Sequence, residues 1–319
     1  MKDKFGRNIE YLRVSVTDRC NLRCKYCMPE EGIKDKKKHS DIMTLEEIYE
    51  VVEVFAQLGV RKVRITGGEP LVRYGITRLI EKIARLEQIN EVTMTTNGVE
   101  LKKYAKELKK AGLNRVNISL DTLKADKYKE ITRFGSINDV LEGIEEAKEV
   151  GLLPIKINTV LIGGFNDDEI EDFVELTRKE DIQVRFIELM PIGQVAGWAR
   201  ENFVSNDIVL KRIPELMPVG IEDKSSPAKY YKLPDGKGKV GLINPISHNF
   251  CSNCNRIRLT ADGKLKPCLH SNKEVDILQS MRKGENIMEL IQSTILEKPS
   301  SHNLDKGESI ERNMVQIGG

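Results

Sequence analysis

Between Tyr11 and Leu189, six short β-rich segments alternate with stretches whose apolar residues recur at helical spacing. The β-rich segments are Tyr11–Val16, Val63–Thr66, Glu91–Thr95, Arg115–Ser119, Pro154–Leu161 and Gln183–Leu189. The first helical stretch opens at Thr44, where Glu47 three residues on completes a capping box, and Leu45, Ile48, Val52, Phe55 and Leu58 mark its apolar face. Further helices are expected over Ile76–Leu86, Leu101–Ala111, Ile137–Val150 and Asp168–Lys179, with Gly59, Gly112 and Gly151 where C-terminal caps belong. Strands joined through helices run parallel, because the crossover returns the chain to the same end of the sheet. The expectation is an α/β sheet curved into a full or partial barrel, with an open doubly wound sheet as the alternative.

In a barrel, the loops after the strand C-termini form the active face. The unusual segments fall there: a cysteine cluster, Gly67–Pro70, Thr96–Gly98 and Asp121. After about Pro191 the rhythm breaks and Pro, Gly and Lys become frequent. This divides the chain into a barrel, 1–190, and an extension, 191–319, expected to cover one barrel end. The polar stretch Ser300–Gly319 is expected to be mobile when nothing holds it.

The six cysteines form two groups of three, Cys20/Cys24/Cys27 and Cys251/Cys254/Cys268, with none between. The N-terminus is polar with no signal-peptide core, and no apolar run is long enough to span a bilayer. The chain therefore reads as cytoplasmic, where structural disulfides are disfavoured and grouped thiols point to metal or redox chemistry. A net charge of +2 over 319 residues gives no global sign of a nucleic-acid or membrane partner. Any anion site must come from local placement of Arg and Lys.

Cys20-Asn-Leu-Arg-Cys24-Lys-Tyr-Cys27 has the spacing C-x3-C-x2-C. Three such thiolates can ligate three irons of a 4Fe–4S cluster and leave the fourth open to a small chelating molecule. A zinc knuckle would need a fourth ligand, for which His39 is a poor candidate. With Tyr26 just before the last cysteine, the motif resembles the signature of radical S-adenosylmethionine (SAM) enzymes. The resemblance implies that the open iron binds the amino and carboxylate groups of SAM, which is cleaved to methionine and a 5′-deoxyadenosyl radical. It also implies that Gly68, in Gly67-Gly68-Glu69-Pro70, lies against the SAM amino group, and that Tyr26, Ser119 and Met190 contact SAM.

Cys251, Cys254 and Cys268, with His270 two residues further, suit a zinc site and an iron–sulfur cluster about equally by spacing alone. From Leu12 to the terminal Gly-Gly, however, the chain resembles the GTP 3′,8-cyclase family of molybdenum cofactor biosynthesis. The resemblance is carried by Val16-Thr-Asp-Arg-Cys-Asn-Leu-Arg-Cys24, Arg64-Ile-Thr-Gly-Gly-Glu-Pro-Leu71, Thr95-Thr-Asn-Gly98, Asn117-Ile-Ser-Leu-Asp121, Arg185-Phe-Ile-Glu-Leu-Met-Pro-Ile-Gly193 and Phe250-Cys-Ser-Asn-Cys-Asn-Arg-Ile-Arg-Leu259. It implies a partial (β/α)6 barrel of the radical SAM type and a second 4Fe–4S cluster on the C-terminal trio, with His270 a neighbour and not a ligand. The implied reaction removes hydrogen from C3′ of GTP and joins C3′ to C8, giving 3′,8-cyclo-7,8-dihydro-GTP. An external electron donor and, downstream, a cyclic pyranopterin monophosphate synthase are the implied partners of a monomer or homodimer. One departure is that Arg73 is followed by Tyr74 where the family often has a second basic residue.

A triphosphate needs cations on rigid elements. Arg13, Arg64, Lys156 and Arg185 fall on expected strands one, two, five and six, inside otherwise apolar runs where an unpaired charge is costly. These positions match the family's substrate cations, with Thr95 as an added contact. Arg256 and Arg258 straddle Ile257, so an extended chain would put both on one face. Gly318-Gly319 follows a less polar stretch, Asn313–Ile317, and the family's tail reaches its active site. The tail is therefore expected to dock and help position the reactants. Two rivals remain: a radical SAM peptide-modifying enzyme with auxiliary clusters, whose extensions usually carry more cysteines and lack Asn255–Arg258, and a non-catalytic zinc-binding module.

Overall fold

The structure, a computed structural model, describes residues 1–33, 37–220, 223–302, 304 and 310–318. Six strands pair side by side in parallel and in chain order: β1 (Tyr11–Ser15), β2 (Lys62–Thr66), β3 (Glu91–Thr96), β4 (Arg115–Ser119), β5 (Ile155–Leu161) and β6 (Ile182–Glu188). Helices α1 (Leu45–Gln57), α2 (Ile76–Ala84), α3 (Leu101–Lys110), α4 (Ala125–Thr132), α5 (Ile137–Glu149) and α6 (Ile170–Lys179) fill the crossovers. The capping box at Thr44 forms as expected, with Glu47 N donating to Thr44 Oγ1 at 3.1 Å and Thr44 N to Glu47 Oε2 at 2.8 Å. Helix α4 was not anticipated, because its short polar sequence carries only a weak apolar face.

Alternation along the strands explains the curved sheet. Leu12, Val14, Val63, Ile65, Val116 and Ile118 join the buried core with the apolar helix faces, such as Ile48, Val52 and Phe55 of α1. Their neighbours in sequence, including Arg13, Arg64, Asn117 and Lys156, line a central cavity. The inner face of the sheet is thus polar and the outer face apolar.

The chain after Pro191 does not simply cover one end, as expected. It adds α7 (Ala196–Glu201), α8 (Asp207–Arg212) and then strands to both sheet edges. On the β6 side lie β7 (Met217–Pro218), β8 (Ala228–Lys232) and β9 (Lys239–Ile243), with β9 parallel to β6. On the β1 side lie β10 (Arg256–Leu259), β11 (Lys264–Lys266) and β12 (Val275–Asp276), with β10 parallel to β1. An open parallel sheet leaves two rows of unpaired backbone groups, and both rows are satisfied in this way. The twelve-strand order runs from β12 to β7, so the barrel is partial. Helices α9 (Ile277–Arg282) and α10 (Ile287–Leu296) follow, and α11 (Met314–Ile317) is the last element described.

Residues 310–318 are docked, so the end of the polar stretch that was expected to be mobile when nothing holds it is held here. Ile310 bridges Ile192, and Gly193 N donates to Ile310 O at 2.9 Å. Arg312 forks onto Asp262 with both bonds at 2.9 Å, and Ile317 is buried. Among the described residues no helix is long and apolar enough to cross a membrane.

Candidate active site

The loop after β1 carries Cys20, Cys24 and Cys27 and is pinned from two sides. Gly68 N donates to Thr17 O at 2.7 Å, and Glu69 N to Arg19 O at 2.8 Å. A Cβ on Gly67 would stand 2.7 Å from Thr17 O, and one on Gly68 2.2 Å from Arg19 O, so only glycine allows this approach. From the other side, Arg23 N and Lys25 N donate to Thr132 O and Ile131 O at the end of α4, at 3.0 and 2.9 Å. The unanticipated helix is therefore a wall of the cysteine loop.

All three thiols are free and border the cavity. Burial pushes Cys20 up to about 11, and burial with the mutual repulsion of the trio drives Cys24 and Cys27 up as well. Cys20 Sγ accepts from Leu22 N at 3.4 Å and Asn97 Nδ2 at 3.8 Å. Among the described residues no three Cys, His, Asp or Glu side chains form a cage for one metal ion. A sulfur-only trio, mutually repelling as thiolates and supported by N–H donors, fits three corners of a cubane cluster. Tyr26 donates to Asp121 Oδ2 at 2.6 Å, and burial raises Asp121 to about 6. Gly68, Ser119 and Met190 border the molecule's central cavity, whose volume is about 730 Å³. Met190 Sδ lies 3.1 Å from His270 Nε2, whose ring stands edge-on to His302 at 4.6 Å. Burial, His302 and Arg258 hold His270 down to about 3, so it is neutral.

Strand register assembles the cations into a layer. Arg258, Arg13, Arg64, Thr93 and Arg115 are successive partners across β10, β1, β2, β3 and β4. Lys156 stands opposite Asn117 and Gln183, and Arg185 opposite Asn158. Arg64 Nε donates to Thr93 Oγ1 at 3.2 Å. Arg115 is paired with Glu91 at 2.7 Å, and Arg185 bonds Tyr230. Burial and neighbouring cations pull Lys156 down to about 6 and Arg64 to about 9. Within this layer, Thr95 Oγ1, Asn117 Nδ2, Asn158 Oδ1 and Gln183 Oε1 are buried and lack a hydrogen-bond partner. Buried polar atoms are rarely left so, and crowded cations are costly, so the cavity suits a polyanion with polar edges.

At the β10 end, Arg256 and Arg258 project to one face, as expected for an extended segment, and both border the cavity. Cys254 and Cys268, fourteen residues apart in sequence, converge with Cys251: burial raises the Cys251 thiol, and the other two add to the effect. For Cys254, burial acts upward but is outweighed by Lys298, Arg256 and Arg7, which pull it down. Phe250, Asn255 and Leu269, next to these cysteines, face the cavity. This trio too has the donor set of a cluster. Gly318 has φ +71, and a Cβ there would sit 3.0 Å from Ser15 and Thr66. Gly319 lies outside the described residues.

The sequence reading missed Tyr11, Lys62 and Arg115, which occupy inward positions on β1, β2 and β4. Tyr11 is overlaid by Lys62 at 5.2 Å, Arg64 at 5.6 Å and Arg256 at 5.7 Å. Burial acts to raise its hydroxyl, but Arg64 and the other cations win and bring it down to about 8. Each lies two residues from an inward residue of its own strand, Tyr11 from Arg13, Lys62 from Arg64 and Arg115 from Asn117, so strand alternation was the signal that could have found them.

Residues 14–177 match the radical SAM superfamily, and residues 182–304 match the family described as Molybdenum Cofactor Synthesis C. The chain is 59% identical to a GTP 3′,8-cyclase of Peptoclostridium acidaminophilum over 318 residues, covering 99% of this chain and 98% of that one. It is 57% identical to a GTP 3′,8-cyclase of Alkaliphilus oremlandii (strain OhILAs), covering 100% of each. Among solved structures, Streptococcus suis SuiB shares the fold, with TM-score 0.62 at 16% identity, over 97% of this chain and 77% of that one.

Proposed function

Because the chain belongs to the GTP 3′,8-cyclase family of radical SAM proteins, we infer that its cavity binds SAM and GTP together, each against one of the two cysteine trios. The activity is the conversion of GTP to (8S)-3′,8-cyclo-7,8-dihydroguanosine 5′-triphosphate, in molybdenum cofactor biosynthesis. The observation that supports this arrangement is the continuity of the cavity. It runs from Cys20, Cys24 and Cys27 through the cation layer to the immediate neighbours of Cys251, Cys254 and Cys268. Cys20, Cys24 and Cys27 would hold a 4Fe–4S cluster, which would supply the electron for reductive cleavage of SAM.

In this reading the protein's own residues bind and orient. Tyr26, Gly68, Ser119 and Met190 border SAM. Arg13, Arg64, Lys156 and Arg185, with Thr95, hold the triphosphate and leave the ribose toward SAM. Arg256 and Arg258 face the substrate from the second trio. Such placement of reacting atoms is worth orders of magnitude in rate, which explains why the cations sit on strands and not on loops. Residues 1–190 carry the SAM half and 191–319 the second trio and the tail. A cytoplasmic monomer or homodimer, served by an external electron donor and passing its product to a cyclic pyranopterin monophosphate synthase, completes the proposal.

The test is anaerobic incubation of the reconstituted protein with reductant, SAM and GTP, followed by mass spectrometry. GTP carrying deuterium at C3′ should deliver it to 5′-deoxyadenosine. Transfer from another ribose carbon, or none, would falsify the assignment of C3′.

A further inference from the structure

Two buried cations, Arg7 and Lys298, lie against the backbone of the second cysteine trio and have no part in the proposed binding of SAM or GTP. Lys298 is 2% exposed. Its ammonium donates to Arg256 O at 2.8 Å and Pro267 O at 2.7 Å. Those carbonyls belong to the two segments that deliver Cys254 and Cys268. Arg7 reaches the third segment, with Nη1 donating to Cys251 O at 2.8 Å. The same guanidinium holds Ser300 O at 3.2 Å and Pro299 O at 2.7 Å, and so fixes the turn that follows Lys298. Arg7 is itself anchored, since its Nε meets Asp3 Oδ2 at 2.6 Å with both side chains buried. The polar N-terminal residues, unremarkable in sequence, are thus tied to the Cys251 segment directly and to the turn after Lys298, which holds the other two.

Charge sharpens the point. Asp3 neutralises Arg7, but among the described residues no carboxylate pairs with Lys298. Removing an ammonium from water without an opposite charge is expensive. Carbonyl dipoles offset part of that cost. The groups that the Lys298 charge acts on include the sulfurs of Cys251 and Cys254, which become anionic when they ligate iron. Three thiolates on a 4Fe–4S core of charge 2+ make a net anion, which is the missing partner.

We propose that Lys298 and Arg7 form a clasp for the second cluster, in which Lys298 is its buried counter-ion and Arg7 locks the turn that carries Lys298. Both are positioning residues, and the proposal rests on reading Cys251, Cys254 and Cys268 as cluster ligands. The clasp keeps three distant segments in register for the cluster. By favouring the more negative, reduced cluster, the Lys298 charge also raises its reduction potential.

The experiment uses the full-length chain with Cys20, Cys24 and Cys27 replaced by Ala, anaerobically reconstituted so that only the second cluster is present. Its potential is read by EPR-monitored titration, beside iron and sulfide content. Absence of any cluster in this parent would defeat the underlying ligand assignment and not the clasp alone. Given a parent cluster, Lys298→Met should either shift the reduced-to-oxidised ratio at fixed poise about tenfold toward oxidised, a change of about 59 mV for one electron, or lose the cluster. Lys298→Arg should retain the cluster near the parental potential. Parental iron content and potential in Lys298→Met overturn the proposal. Should Lys298→Met not fold, Arg7→Gln decides. It leaves Asp3 uncompensated and should lower the potential or the cluster occupancy, whereas parental values for both overturn the clasp.

Discussion

Arg258 Nη1 donates to the carbonyl of Gly318 at 2.6 Å, and Arg13 Nη2 approaches the same oxygen at 3.5 Å. Two members of the cation layer are therefore tied to the C-terminal tail. The tail sits where β1 and β2 end, against Ser15 and Thr66. Both guanidinium groups keep further N–H donors, so the carbonyl can orient them without consuming them.

Deleting Gly318 and Gly319 should cut product formation sharply while leaving iron content and SAM binding near wild type. Displacing a reacting group by about 1 Å can cost about 100-fold in rate. Gly318→Ala should act in the same direction, because φ +71 and contacts at 3.0 Å penalise a side chain there, by roughly 1–3 kcal/mol. Wild-type turnover by the truncated protein would reduce the tail to a passive plug.

Each cysteine trio should account for half of the metal. Replacing Cys20, Cys24 and Cys27 by Ala, or Cys251, Cys254 and Cys268 by Ala, should each remove about four irons and four sulfides per chain. Iron, acid-labile sulfide and zinc analysis of anaerobically purified protein checks this. Zinc without sulfide in the first variant would contradict a cluster on the second trio.

The parallel βα core was legible because its signal is local: periodicity, caps and glycine stops lie within a dozen residues of each other. The C-terminal strands were not, because β9 and β10 are short and pair with β6 and β1 across long stretches of chain. No local pattern encodes which sheet edge a strand will join. At the site, Arg13 and Arg64 stood out as charges inside apolar runs. Arg115, at the first position of β4 beside a polar turn, did not, although register puts it in the same layer. Arg7 and Lys298 were invisible for the opposite reason: each sits in a polar sequence, and only folding buries it.

Arg64→Ala should weaken GTP binding far more than SAM binding. Arg64 lies on β2, in register with Arg13 and Thr93 and remote in sequence from the cysteine loop. Truncating a buried charge contact of this type costs ~2–5 kcal/mol, or roughly 30-fold or more in Kd. Equilibrium dialysis with each ligand separates the two effects. Equal losses for both would mean that the variant disturbs the whole barrel.

Lys156 should make GTP binding consume a proton. Burial, with Arg185, Arg115, Arg64 and Lys62 nearby, brings its ammonium down to about 6, so it is mostly neutral in the free protein at pH 8. A triphosphate placed among these cations reverses their repulsion and drives the pKa back up. Affinity should therefore fall as pH rises above about 6, by at most tenfold per pH unit from this one group. Calorimetry at pH 8 in buffers of different ionisation enthalpy reads the uptake directly, and there the terminal phosphate of GTP contributes little because its own pKa is near 6. Tyr11, held near 8, shifts in the same direction, so the part due to Lys156 is the difference from Lys156→Arg, whose guanidinium stays charged throughout. The same shift has a second consequence without ligand. Between about 6 and the ordinary lysine value the unfolded chain holds a proton that the folded chain has shed, so the free protein should gain stability with rising pH across that window. Lys156→Met should flatten that slope and abolish its share of the proton uptake. If Lys156→Arg takes up as many protons as wild type, the ammonium is already charged in the free protein and the coupling does not exist.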